Sequence, residues 1–461
     1  VSGHRGGTGT AAPAPRTPGP PQRRGVASFL LVWLPSVVVI IASGACLFTL
    51  SWWLSQSPGG GGSLGAVIGV SSVVSLLTVF VFSGPLDRTD RGVSITRLLS
   101  TLLLPLGALA VILGLSYDGW AVAGAALCYT AVSTLESLYL ATNETLCADL
   151  APDGWPSART ALLTQIHSQV ERVVAPTFAG LALTAGHVRA VPLAAALVVA
   201  AMLAVIHSSR RRSAVAAAAA PAAPDETSST TNQGPLRSLW DNARAALRLM
   251  RGHRDLVFLI QLGILGNLVV FPFYAVLPAF LSDYTTGPHD VAVWYSRAAT
   301  AYGLGMLSGS VLLLRRKRST GVGRRALTAA GCCLALICTV LIALTLTARP
   351  AAVVAAMAVN GALFTVLVAI GGAVWLNRTP PGIRVRVFSL RRLTVFSSIP
   401  LGTALMGVGG AALGYRPFVR LLAVVVIALL GASWLAFRRR AEDRAEDRTE
   451  EPSTATTAKE A

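Results

Sequence analysis

Apolar residues in this chain come in long, evenly spaced runs separated by short polar or basic breaks. The runs lie near 28–54, 64–83, 98–116, 119–140, 158–184 and 188–207, and then near 256–281, 291–314, 326–347, 351–376, 387–412 and 418–437. A hydrocarbon core of about 30 Å takes roughly 20 helical residues to cross, and each run meets that length. Lipid offers no partner for free backbone N–H and C=O groups, so a continuous apolar stretch of this kind must be helical. The pattern predicts an all-α polytopic membrane protein with twelve transmembrane helices.

Composition agrees. Hydrophobic residues make up 53% of the chain and charged residues 13%, with a mean hydropathy of +0.61. A soluble domain carries roughly 25% charged residues, so this chain lacks the means to cover itself with a water-compatible surface. The net charge of +18 would suggest nucleic acid if the basic residues formed a patch with interleaved aromatics. They form short clusters between apolar runs instead, as in Arg210-Arg211-Arg212 and Arg315-Arg316-Lys317-Arg318, and nucleic-acid binding is set aside.

Placing the N-terminus inside sorts the charges. Of 39 Lys and Arg residues, Arg189, Arg349, Arg416 and Arg420 fall in external segments and Arg172, Arg297, Arg391 and Arg392 within helices; all others fall on the cytoplasmic side. Basic residues favour that side, so the twelve-helix count and a plasma (inner) membrane location with both termini cytoplasmic are expected together. One loop dissents: 141–157 carries Glu144, Asp149 and Asp153 and no base before Arg159. The six cysteines show no CxxC and no paired external spacing.

Five segments follow. Residues 1–26 are a Pro/Gly-rich tail expected to be disordered, 27–207 a first six-helix bundle, 208–254 a cytoplasmic linker, 255–437 a second six-helix bundle and 438–461 a charged cytoplasmic tail. Within the linker, Leu236, Leu239, Trp240, Ala243, Leu247 and Met250 make one apolar stripe at helical spacing, with Arg237, Arg244, Arg248 and Arg251 facing away. Such a helix lies on the inner membrane surface or stands solvated as a connector.

Between the second and third helices stands Ser83-Gly84-Pro85-Leu86-Asp87-Arg88-Thr89-Asp90-Arg91. This segment resembles the loop signature of the major facilitator superfamily, G-x-L-x-D-R-x-G-R. Asp87, Arg88 and Arg91 match, Ser83 takes the first glycine's place and Asp90 the second's. The resemblance implies two pseudo-symmetric six-helix bundles, with Asp87, Arg88 and Arg91 as a conformational latch at the cytoplasmic face. A charge near a helix end is worth roughly 0.3–2 kcal/mol, a size that suits a reversible latch.

Ala175-Pro176-Thr177-Phe178-Ala179-Gly180 on helix five is similar to the antiporter motif of exporters in that superfamily, and Ile399-Pro400-Leu401-Gly402 stands at the matching place on helix eleven. Pro176, Gly180, Pro400 and Gly402 thus form a repeated helix-bend motif that allows close helix approach. Asn267-Leu268, Leu277-Pro278, Gly303-Leu304-Gly305 and Arg386-Val387-Phe388-Ser389 resemble the branch holding macrolide-efflux proteins and the enterobactin exporter. Helix one lacks that branch's polar Gly-Asp.

Charge inside the spans is independent of resemblance. Apart from Arg189 and Arg420 at the outer ends of the sixth and twelfth runs, helices three, six, nine and twelve carry none and are expected on the outside; Glu136 is on helix four, Glu171 and Arg172 on five, Arg297 on eight, and Arg391 and Arg392 on eleven. Intramembrane charge collects where function needs it. Glu171 lies roughly 20 Å along helix five, near mid-membrane, with His167 one turn earlier and Thr164 and Thr160 continuing the face. It either couples transport to protons or pairs statically with Arg172 or Arg297. Glu136 is open between the same two roles. Arg391 and Arg392 are expected to reach the interface or Asp87. Asn267, Asn360 and Gln261 either bind substrate or tie helices, and Tyr295, Tyr302 and Trp294 are candidates for a hydrophobic cavity.

Neither lysine stands in a phosphate-loop pattern, and HExxH, GxSxG and Cys/His metal clusters are missing, so no catalysis, cofactor or metal is expected. The expected partners are the lipid bilayer, protons and a small-molecule substrate, with the chain a monomer. The resemblance implies proton-coupled efflux of an amphipathic small molecule. Uptake of a metabolite on the same fold and a non-transporting membrane receptor or assembly partner remain as alternatives.

Overall fold

The computed structural model describes residues 26–57, 60–88, 91–115, 117–150, 152, 157–217, 244, 252–315, 324–347, 349–379, 387, 391 and 393–450. Among them are twelve long helices: α1 (Val26–Ser55), α2 (Gly60–Arg88), α3 (Arg91–Ile112), α4 (Gly119–Asp149), α5 (Ser157–Thr184), α6 (Ala190–Ala217), α7 (Arg254–Ser282), α8 (Pro288–Arg315), α9 (Arg324–Thr345), α10 (Pro350–Arg378), α11 (Ser398–Leu413) and α12 (Tyr415–Glu450). The apolar stripe of the linker lies outside the described residues, and of the arginines opposite it Arg244 alone is among them.

The two halves repeat one another in their main contacts. In the first, α1 packs on α4, α5 and α6, α4 on α2 and α3, and α3 on α6. In the second, α7 packs on α11 and α12, α10 on α8 and α9, and α9 on α12. Two seams join the halves, α2 against α11 and α5 against α8, and each maps onto the other when the halves are exchanged. The turns agree as well: Gly186, between α5 and α6, and Gly414, between α11 and α12, both have positive φ, at 76° and 83°. Only glycine enters that region without a steric cost.

Ten of the helices are long and apolar enough to cross a membrane; α5 and α8 are the two that are not. Those two pack against each other. Of the ten, α1 and α7 are the most buried and α6 and α12 the least, which puts six and twelve on the outside as expected, whereas α3 and α9 are no less buried than α2 and α4. Lack of charge does not decide this, since the runs 28–54 and 256–281 of α1 and α7 carry none either. Large apolar side chains such as Leu104, Leu127 and Leu197 stand exposed on the outer helices. In water such a surface marks a binding face, and here it faces acyl chains.

Three helices show features that the pattern did not predict. Along the eleventh run Val387, Arg391 and residues 393–396 are helical, and a turn falls at Ser397, whose backbone stays helical and whose N–H donates to the Leu393 carbonyl at 3.1 Å. Helix α11 follows from Ser398, so that Leu393–Leu413 is one span long and apolar enough to cross a membrane. Pro400 has no N–H for the carbonyl four residues back, and its ring crowds that carbonyl. The Ser397 and Ser398 hydroxyls donate to the carbonyls of Thr394 and Val395, at 2.9 and 2.6 Å, which steadies the turn. Helix α12 runs to Glu450, well past 437, and α6 to Ala217, past 207. Both extensions are rich in Ala and Arg, strong helix formers that continue a helix once it leaves the lipid.

Candidate functional site

Adjacent residues on a helix point about 100° apart, so a polar pair in sequence serves two neighbours. At the middle of α5 this splits Glu171 from Arg172. The Glu171 carboxylate rests against Gly44 of α1, where the absence of a side chain leaves room for it. Arg172 turns toward the second half: its guanidinium carbon lies 5.6 Å from the ring centre of Phe271 and 5.8 Å from that of Tyr274, both on α7. From α8, Gly303 lies against the Arg172 carbonyl so closely that a β-carbon would overlap it.

Glu136 of α4 is within electrostatic range of both Glu171 and Arg172. Cys46 of α1, Tyr129 of α4 and Tyr274 and Tyr302 of the second half complete the polar surroundings. Among the described residues neither carboxylate forms a direct ion pair, whereas Arg378 and Asp255 do, at 2.6 Å, joining the end of α10 to the start of α7. The static pairing of Glu171 with Arg297 does not form, because Arg297 stands elsewhere.

A cavity of about 310 Å³ opens beside Arg172. It runs from Phe271 and Phe364 at mid-membrane to Leu259, Trp375 and Arg391 near the face on which α7 begins and α10 ends. Gln169, Asn267 and Thr365 supply the uncharged polar lining. Arg391 lies over the Trp375 ring at 5.2 Å, so it lines the cavity as well as standing near the interface.

The opposite face is shut by contacts between the halves. Phe48 of α1 stacks on Tyr295 of α8 at 4.0 Å and 5°, and Trp52 Nε1 donates to the Pro288 carbonyl at 3.4 Å. On the α2–α11 seam, Gly65 meets the backbone of Thr403 and Gly407, and Gly69 meets the carbonyl of Pro400. On the α5–α8 seam, Ser296 Oγ donates to the Pro176 carbonyl at 3.0 Å and Gly180 meets the same serine. The repeated bend motif therefore does the same thing twice: each proline presents a carbonyl across a seam between the halves. Gly402 instead lets α11 approach Leu268 and Pro272 of α7.

The remaining predicted residues divide. His167 is 1% exposed, one turn from Glu171, and its Nδ1 has no partner among the described residues. Asn267 lines the cavity and also ties α7 to α11, Nδ2 donating to the Val395 carbonyl at 2.8 Å. Asn360 is buried on α10 with its Oδ1 unpartnered among the described residues, and does not line this cavity. Arg297 is exposed, 5.0 Å from the Trp294 ring, and lines a separate groove with Thr177 and Thr300. Gln261 is exposed. Asp87, Arg88 and Arg91 end α2 and begin α3, but their side chains, with those of Thr160, Thr164 and residue 392, lie outside the described residues.

Gln169, Phe271, Tyr274 and Trp375 were not singled out from the sequence. Gln169 carried the one available signal, a second polar residue two positions before Glu171 on a membrane helix. The aromatics carried none, since Phe and Trp in a membrane helix face lipid as readily as a cavity.

No protein-family model matches the chain, and no curated protein sequence does. Solved structures do match in fold. The nucleoside transporter NupG aligns at 15% identity and a TM-score of 0.62 over 89% of this chain and 98% of that one. A POT family transporter in complex with 5-aminolevulinic acid aligns at 12% and 0.63 over 90% and 98%. A bacterial homologue of the iron transporter ferroportin, in the inward-facing state, aligns at 14% and 0.62 over 90% and 99%. With the twelve helices and the repeated halves, these establish an all-α polytopic membrane protein of the major facilitator fold.

Proposed function

We propose that the chain is a secondary transporter that carries an amphipathic small molecule across the membrane by alternating access, linked to protons through Glu171 and Glu136. The observation that carries this reading is the position of the two carboxylates and Arg172. Arg172 lines the deep end of a cavity that reaches toward the face on which α7 begins, and the two carboxylates sit behind it at mid-membrane on the other side of α5, with both inter-bundle seams closed toward the opposite face. Buried charge without a direct partner is costly in a membrane, and a changing proton count at such a cluster gives the rocking of two bundles a driving force. The cavity's apolar and aromatic lining suits an amphipathic molecule better than a sugar, which needs many polar contacts.

Two directions are open to this geometry. Efflux of a drug, antibiotic or siderophore-like molecule is what the sequence resemblance to exporters of the superfamily, the α5 segment included, implies. Uptake of a metabolite is favoured by a different observation, the presence of arginines and absence of carboxylates among the residues lining the cavity. In either case the latch of Asp87, Arg88 and Arg91 is placed at the cytoplasmic face, with both termini. Substrate-dependent proton flux in reconstituted vesicles tests the reading, with Glu171→Gln beside the unaltered protein. Flux that survives in Glu171→Gln at full rate removes the proton-linked role of this residue.

A further inference from the structure

The cavity beside α5 has an uneven charge distribution. Its lining includes Arg172 at the deep end and Arg391 toward the mouth and, among the described residues, neither an Asp nor a Glu. The two carboxylates of the cluster are on the far side of α5: Glu171 points at Gly44 of α1 and Glu136 comes from α4. What a solute meets on entering is therefore the guanidinium, framed by the faces of Phe271 and Tyr274, with the Gln169 amide nearby. Below it the walls are Leu262, Phe364, Val368 and Trp375.

We infer that the solute taken by this cavity is an amphipathic organic anion, its acid group on Arg172 and its apolar or aromatic body along the Phe364–Trp375 wall. A planar guanidinium presents its donors as a fork that matches a carboxylate or sulfonate, and the surrounding rings hold a flat body. The inference rests on the transporter reading and gives it a substrate class.

The proton follows from charge balance. With both carboxylates ionised, Arg172 is the one cation among the described residues of the mid-membrane cluster, Arg391 standing away toward the mouth, and an anion brought to Arg172 is repelled by the two carboxylates. A proton on either carboxylate leaves room for the acid group, so proton and anion enter the site together. The other titratable groups around the cluster are Cys46 from α1 and Tyr129 from α4 beside Glu136, Tyr274 from α7 beside Glu171 and Arg172, and Tyr302 from α8 beside Arg172, with His167 one turn earlier on α5 itself. None of these carries a standing positive charge that could replace Arg172, unless His167 is protonated. Co-binding means co-transport, and under an inward proton gradient it drives uptake, the second of the two directions above.

The test uses the full chain in detergent micelles and three isosteric probes: 2-naphthoate, 2-naphthamide and 2-naphthylmethylammonium. Binding is read by quenching of tryptophan fluorescence and by the shift in thermal unfolding. The expected result is that 2-naphthoate binds about tenfold or more tighter than the other two, as a charge-assisted contact in a dry site supports. Its binding takes up a proton from weakly buffered solution. Arg172→Gln removes the preference while binding of the amide stays, and Arg172→Lys keeps part of it. Equal binding of the three probes, tighter binding of the amine, no binding of any at millimolar concentration, or an undiminished preference in Arg172→Gln each overturns the inference. A preference for naphthoate without any substrate-dependent flux in vesicles leaves the anion site standing and removes the transporter reading instead.

Discussion

The carboxylate of Glu171 fills the space beside Gly44 that a side chain on α1 would otherwise take. One helix thereby gives up a side chain so that the next can hold a charge at mid-membrane. Gly44→Ala tests this. In an unconstrained helix the substitution is favourable by up to about 1 kcal/mol. Here the new methyl displaces the carboxylate, and a misplacement near 1 Å costs as much as about 10²-fold in rate. Substrate-dependent proton flux is expected to fall at least tenfold, on the scale of that misplacement cost, in a protein that still folds, with thermal unfolding measured alongside. Unchanged flux would show that the contact does not set the position of Glu171.

The α2–α11 seam is backbone against backbone where Gly65 meets Gly407 and Thr403. Gly65→Val forces the bundles apart at the closed face. Overpacking of this kind costs about 1–3 kcal/mol, which moves a two-state equilibrium by about 5–150-fold. Spin labels on cysteines introduced at Gln56 and Gly287 are expected to report a longer distance population in the variant. An unchanged distribution would count against the seam as the gate.

Two polar contacts in the second half should differ in worth. Asn267→Ala removes the tie from α7 to the Val395 carbonyl, made inside the bundle. Interhelical hydrogen bonds in membranes average about 0.6 kcal/mol and reach about 1.7. Arg378→Gln removes an ion pair whose side chains are 40% and 25% exposed, and exposed pairs are worth about 0–1 kcal/mol. Thermal unfolding in detergent is expected to fall further for the asparagine variant. The reverse order would mean that the Arg378–Asp255 pair is a fixed strut between α7 and α10.

Asp283, just beyond the end of α7, has its carboxyl held above the ordinary carboxylate range by burial, with the nearby Arg416 opposing the shift. A carboxyl raised in the folded state favours folding below its unfolded value, and that contribution is lost as pH rises through the raised value. Stability should therefore decline on the alkaline side of the ordinary Asp range, by a small amount because the group is partly exposed. Asp283→Asn is expected to flatten this part of the pH profile of thermal unfolding. A slope that persists in the variant belongs to another group.

The helices were legible because a bilayer imposes a length and a polarity on whatever crosses it. Even α5 and α8, the two least apolar, were found from the sequence, since the alternation of basic breaks required them. The turn at Ser397 within the eleventh span was not legible, because Pro400 acts on a carbonyl four residues upstream and hydropathy does not register that. The helical continuations of α6 and α12 were missed because a charged segment was equated with a tail, although Ala, Glu and Arg are strong helix formers.

Within the site, the sequence singled out Glu136, His167, Glu171 and Arg172 because ionisable groups are rare in lipid, and the structure gathers them. It also singled out Arg297, by the same rule, and the structure sets that residue on an exposed groove. The rule is about cost and is silent on azimuth: around α8 a rotation of 100° separates a cavity residue from a surface one, and the packing partner alone selects it. Chain order and polarity thus determined how many times the protein spans the membrane and which residues are costly there. Which of those face one another, and that Glu171 and Arg172 look in different directions, came only from how α1, α4, α5, α7 and α8 pack, because contact between distant helices depends on small residues such as Gly44 and Gly303 whose role is invisible along the chain.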